Sequence, residues 1–156
     1  MIKRRIGNSR SLTAIGLGCM GISFTYGPAM EDVDAVSLLH QAVDRGVDHF
    51  DTVEMYGLGH SEQMFGKAFN DRRDKGFIAT KFGPMFNRET RRRSGVDGSA
   101  ANAKSTLEQS LRYLQTDHAD LWCLHRRDFS RPIEETVSAM ADAVKEGSSA
   151  ALACLR

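Results

Sequence analysis

Hydrophobic positions recur along the chain in two alternating rhythms, and the alternation predicts a repeat of strand and helix. Ser11 to Met20 (SLTAIGLGCM) is mostly apolar and punctuated by glycine, with Ile15 and Leu17 as its clearest strand residues. From Asp32 to Arg45 the period lengthens. Val33, Val36, Leu38, Leu39 and Val43 fall on one broad helical stripe, with a capping residue at or beside Asp32. Gly46 is placed to end that helix in a left-handed conformation. Val47 to Thr52 reads as a short strand, and Ser61 can cap a helix through Met64, Phe65, Ala68 and Phe69. Phe77 to Phe82 is a strand, Asn102 to Leu114 a helix with Leu107, Leu111 and Leu114 at helical spacing, and Ala119 to His125 a strand again. Pro132 and Gly147 bracket a last helix, Ile133 to Lys145, whose buried stripe would be Ile133, Val137, Met140 and Val144.

Strands separated by helices of this length require right-handed crossovers and a parallel sheet. A doubly wound sheet and a barrel both satisfy that order, and pattern alone does not choose between them. Ahead of the repeat, Ile2 to Leu12 predicts a hairpin turning at Gly7 and Asn8. Phe86 to Ser99 is the longest irregular stretch, and Arg88, Arg91, Arg92 and Arg93 make it basic. It reads as a solvated loop, or as a local contact for a phosphate-bearing ligand.

Composition narrows the function classes. The 156 residues are 41% hydrophobic and 26% charged, with a net charge of +1, which fits a globular domain with its own core. That balance gives no reason to expect a nucleic-acid partner, and no apolar run is long enough for a membrane span. Cys19, Cys123 and Cys154 are far apart and odd in number, so a cytoplasmic protein with free thiols is expected. The histidines show no metal-ligand spacing, so no metal is expected, and neither a dinucleotide fingerprint nor a phosphate-binding loop motif is present.

The candidate chemistry gathers at strand ends. Asp51 ends the second strand, Lys81 lies near the end of the third and His125 ends the fourth, while Tyr56 follows Asp51 by five residues. In parallel α/β folds these ends share the ligand-binding face. An ammonium beside a phenol favours the phenolate and would make Tyr56 a better acid at neutral pH. Asp51 would pair with Lys81, and His125 would hydrogen-bond a substrate oxygen. The set suits an oxygen that gains negative charge and then a proton, as in carbonyl reduction.

GLGCMGIS (Gly16 to Ser23), FDTVEMYGLGHSE (Phe50 to Glu62), ATKFG (Ala79 to Gly83), DLWCLHRRD (Asp120 to Asp128) and PIEETVSAMADAVKEG (Pro132 to Gly147) resemble, in order, the aldo-keto reductase family. The resemblance implies a (β/α)8 TIM barrel closed below by a short hairpin, of which this chain would hold about four βα units, a truncated barrel. It implies reduction of aldehydes or ketones with NADPH, or less often NADH. It assigns Tyr56 as general acid and base, Lys81 as the residue that tunes it, Asp51 as the lysine's partner and His125 as the group that positions the carbonyl. Cys19, Met20, Gly21 and Asp51 would hold the nicotinamide end of the cofactor. Arg126 matches a residue common in one branch of the family, without an evident physical role.

The resemblance covers residues 1–147, and residues 148–156 (SSAALACLR after Gly147) read as a tail foreign to the family. One base deleted from a coding string for GKLRGLGLSA reads out as GSSAALACL and then arginine, so a frameshift is the expected origin. A barrel of this type needs about 250 residues. The expectation is therefore a chain with little or no turnover, whose first and fourth strands are open edges prone to self-association. A non-catalytic interaction or regulatory half-barrel is the alternative.

Overall fold

The structure, a computed structural model, describes residues 1–6, 10–23, 26–87, 89–90 and 92–155. It opens with an antiparallel hairpin, β1 (Lys3–Ile6) and β2 (Arg10–Thr13), in the register Lys3 to Thr13. The turn expected at Gly7 and Asn8 lies outside the described residues. Then come β3 (Leu17–Gly18), α1 (Asp32–Asp44), β4 (His49–Asp51), α2 (His60–Phe69), β5 (Phe77–Phe82), α3 (Ala100–Leu114), β8 (Leu121–Leu124), α4 (Ile133–Lys145) and β9 (Leu152–Cys154). Between β5 and α3 a second small hairpin pairs β6 (Pro84–Phe86) with β7 (Arg93–Val96). The five main strands form one parallel sheet in the order β3-β4-β5-β8-β9.

Strict sequence order in an all-parallel sheet, each strand beside the next, is barrel topology. A doubly wound sheet reverses its order at a switch point. The fold is therefore about four βα units of a (β/α)8 barrel behind an N-terminal hairpin. Two apolar clusters join sheet to helices. Phe50 packs edge-on against Phe65 and Phe69 at 5.6 and 5.1 Å under α1 and α2. Phe82 stacks on Trp122 at 4.5 Å under α3 and α4.

Small residues take up much of the buried face of the helices, which corrects two expected stripes. In α1, Ala35, Leu39 and Ala42 are buried while Val33 faces solvent. In α4 the buried residues are Thr136, Met140 and Ala143, and Val137 and Val144 point outward. Gly46 and Gly147 end their helices at φ +86° and +81°, as their positions foretold. Ile15 is exposed and lies outside the strand expected to hold it. Phe86 to Ser99, expected to be irregular, supplies the second hairpin. The chain after Gly147 adds β9 alongside β8, so the open edges of the sheet are β3 and β9 rather than β3 and β8.

Beneath the sheet, Asp120 is buried and accepts from Arg10 at 2.8 Å, Arg73 at 2.7 Å and the Ile78 N–H at 2.9 Å. It ties the hairpin to the base of the sheet. Removing the carboxylate leaves the buried Ile78 N–H without its acceptor and takes from Arg10 and Arg73 the charge they share. Asp120→Ala is expected to cost about 2–3 kcal/mol in urea denaturation; a loss under about 0.5 kcal/mol, the level of a surface substitution, would contradict this role.

Candidate active site at the strand ends

All six residues of β5 are buried, so its alternating side chains serve two interiors. Thr80 faces the helices. Lys81 faces the inner side of the sheet beside Cys123 of β8, its register partner. Asp51 pairs in register with Ala79, two residues before Lys81 and on the same side of the strand. The Lys81 Nζ donates to Asp51 Oδ1 at 2.5 Å and to the Thr52 carbonyl at 2.9 Å. The lysine side chain is 6% exposed and the aspartate 43%, so the ammonium is inside and the carboxylate at the mouth.

Tyr56 follows on a tight loop. Gly57, Leu58 and Gly59 all have positive φ, at +67°, +54° and +99°. The two glycines are required by space as well as conformation. A Cβ on Gly57 would come within 2.8 Å of Ser23 Cβ, and one on Gly59 within 2.3 Å of the Tyr113 ring. This turn sets the Tyr56 ring on the same side of the sheet as Lys81, whose Nζ lies 5.6 Å from the ring centroid. Ser61, expected to cap α2, instead bridges Thr52 Oγ1 at 2.9 Å and the Cys19 carbonyl at 3.4 Å, while Gly59 stands at the N-cap. The loops after β3 and β4 are thereby tied together.

His125 continues the β8 ladder, its N–H donating to the Phe82 carbonyl at 2.9 Å. It lies two residues beyond Cys123 and so on the Lys81 side. Its Nδ1 is buried without a hydrogen-bond partner. Burial, and then the Lys81 and Arg126 charges, lower its pKa, so the ring is neutral at pH 7. Tyr56 differs from the expectation of an acidified phenol. Burial and the Asp51 carboxylate raise its pKa, and the ammonium stands off the ring face. The phenol is therefore fully protonated at neutral pH, a proton donor in its resting state.

The four cofactor candidates separate. Met20 is half-buried and Gly21 exposed on a 3-10 turn spanning Met20–Ile22, open to a ligand. Asp51 keeps its second carboxylate oxygen at the mouth. Cys19 is buried in the core, its thiol pKa strongly raised by that burial. Its N–H donates to the Asp51 carbonyl at 2.9 Å and its carbonyl already accepts from Ile22 and Ser61, so it supports the loop and offers a ligand little. The open turn at Met20 and Gly21 and the mouth-facing Asp51 carboxylate are the parts of the set that fit the nicotinamide end of a cofactor.

The aldo/keto reductase family model matches residues 14–154, nearly the whole chain and through β9. The chain belongs to the aldo/keto reductase family. It is 38% identical over 146 residues to aldo-keto reductase yakc [NADP(+)] of Schizosaccharomyces pombe, covering 92% of this chain and 42% of that protein. Among solved structures, the holo form of aldo-keto reductase AKR11C1 from Bacillus halodurans superposes with a TM-score of 0.87 at 32% identity, over 99% of this chain and 50% of that one. An aldo-keto reductase from Klebsiella pneumoniae in complex with NADPH gives 0.80 at 31%, over 99% and 50%. The chain thus spans about half the length of the relatives it matches.

Behind the candidate site of this aldo-keto reductase family chain, sequence reading missed Glu62. It is fully buried on α2, accepting from Thr80 Oγ1 at 2.6 Å behind Lys81. Its Oε2 and the nearby Ser110 Oγ complete no hydrogen bond, although Ser110 lies close enough to favour the carboxylate. A signal was present: Glu62, Phe65, Gly66 and Phe69 share one helical stripe, a carboxylate in an apolar row. Burial pushes its pKa up to about 7, only partly offset by Thr80 and Ser110. The folded state therefore holds this proton where the unfolded chain has lost it. The stability this one group contributes is full below about pH 4.5 and declines as pH rises to about 7. Glu62→Gln is expected to flatten the fall in Tm between pH 5 and pH 8. An unchanged slope would place the proton elsewhere.

Proposed function

We propose that this chain carries the proton-handling half of an NADPH-dependent reductase of aldehydes or ketones, with NADH as the alternative cofactor. The observation that carries the reading is the buried Lys81 ammonium, clamped by Asp51 and the Thr52 carbonyl within 5.6 Å of the Tyr56 ring centroid. The reading is supported by the NADP(+) in the name of the S. pombe relative and by the NADPH in the K. pneumoniae complex.

A bound nicotinamide supplies hydride to the carbonyl carbon. The chain's own groups manage the oxygen. The Tyr56 hydroxyl gives its proton to the developing alkoxide, and the neutral His125 imidazole donates a hydrogen bond that orients that oxygen. The phenolate left behind is met by the Lys81 charge, which Asp51 holds in place. Met20, Gly21 and the second carboxylate oxygen of Asp51 would hold the nicotinamide end of the cofactor.

Turnover by the chain alone is expected to be low, because cofactor binding energy normally holds the reacting atoms together. Titration with NADPH, followed by nicotinamide fluorescence, is expected to saturate. Tyr56→Phe should keep that binding and lower carbonyl-dependent NADPH oxidation by about 10²–10⁴-fold. Absence of saturation, or measurable oxidation that Tyr56→Phe leaves unchanged, would defeat the reading.

A second reading, a non-catalytic interaction half-barrel, is favoured by the sheet edges β3 and β9, each paired on one side only. It predicts concentration-dependent assembly in sedimentation velocity without NADPH binding. A compact monomer at all concentrations would remove it.

A further inference from the structure

Arg93 on β7 and Arg126 and Arg127 after β8 line one cavity of about 730 Å³ at the strand-end face. The rest of its lining is apolar, from Val96, Leu124, the largely exposed Phe129, Ile133, Cys154 and Leu155. Such a volume suits a small organic molecule. Among the described residues, no carboxylate pairs with any of the three arginines. The nearby carboxylates of Asp97, Asp128 and Glu135 are all engaged by Arg131, at 4.0, 3.1 and 2.6 Å. The Arg127 guanidinium instead stands 5.1 Å over the Phe129 ring, which leaves its N–H edges available. Arg126 and Arg93 both lie near enough to His125 for their charge to disfavour its protonation. The cavity is therefore a neighbour of the candidate reductase site.

We propose that this cavity is an anion-binding subsite that takes the carboxylate of an aromatic or otherwise apolar acid, so that the favoured carbonyl substrates are acidic ones. The substrate class rests on the reductase reading; binding of the anion does not. Guanidinium forks match carboxylate geometry, and the apolar walls supply the surface that a bare inorganic anion would not use. The basic stretch that sequence alone left between a solvated loop and a ligand contact here contributes Arg93 to a defined cavity. Arg88 and Arg91 lie outside the described residues.

The test is a titration of the chain, without cofactor, with 2-naphthoate, read by ligand fluorescence and calorimetry. Naphthoate is expected to bind saturably and at least about tenfold tighter than neutral 2-naphthylmethanol. Arg126→Gln and Arg127→Gln should each weaken binding about tenfold. Arg126→Lys should recover only part of the loss, and Arg112→Gln, on α3 and outside the cavity, should change nothing. Circular dichroism confirms that each variant is folded, and Arg126→Lys serves if Arg126→Gln is not.

Equal binding of the neutral alcohol would reduce the cavity to an apolar hole and overturn the proposal. So would an equal loss in Arg112→Gln, which would indicate net charge alone. Displacement of naphthoate by equimolar inorganic pyrophosphate would likewise overturn it, in favour of a bare phosphate site. Failure here with NADPH binding intact removes only the substrate class. Failure of NADPH binding with naphthoate bound removes only the reductase reading.

Discussion

An ammonium taken out of water is the constraint around which the rest of this half-barrel is arranged. Lys81 sits in a strand with no exposed residue, and its charge is tolerable there only because Asp51 and the Thr52 carbonyl are both within hydrogen-bond reach. Both partners come from the neighbouring strand end, so the parallel register of β4 on β5 is part of the electrostatics. A slip of one residue would turn Lys81 into the helix layer and Thr80 inward. The sheet order, the tie between Ser61 and Thr52, and the left-handed turn after Tyr56 all serve to keep that end of the sheet in one arrangement.

Burial then differentiates the ionisable groups around the charge. His125 is held neutral and Tyr56 protonated, each chiefly by desolvation, while Asp51 stays near solvent. On the far side of the same strand Glu62 is also buried and retains its proton to about pH 7. One strand thus separates a cationic inner face of the sheet from an acidic, helix-facing one.

Much of this was readable from residue order. Phe77 to Phe82 and Ile133 to Lys145 have the boundaries the pattern predicts, because a short run that opens on three apolar residues and ends on a fourth, and a proline-to-glycine bracket, leave little choice. The strand-end placement of Asp51, Lys81 and His125 followed from the parallel sheet alone. The stripes of α1 and α4 differ from the pattern because size is not burial: Ala35, Ala42 and Ala143 are on the buried faces, and Val33, Val137 and Val144 are outside. Ser61 was misassigned because a hydroxyl before a helix suits a cap and a buried bridge equally well. The hairpin over Pro84 to Val96 has no hydrophobic alternation to betray it, and the Tyr56 phenol could not be placed against the ammonium without the loop's backbone conformation.

The clamp itself is tested most directly by a double-mutant cycle on stability, with Asp51→Asn, Lys81→Met and the pair measured by urea denaturation. A charge held inside the sheet by its partner predicts that the single changes are non-additive. Asp51→Asn, which strands the ammonium, should cost clearly more alone than in the Lys81→Met background, with a coupling of about 1–3 kcal/mol. Additivity within about 0.5 kcal/mol would mean that the two residues do not depend on each other and would contradict the account.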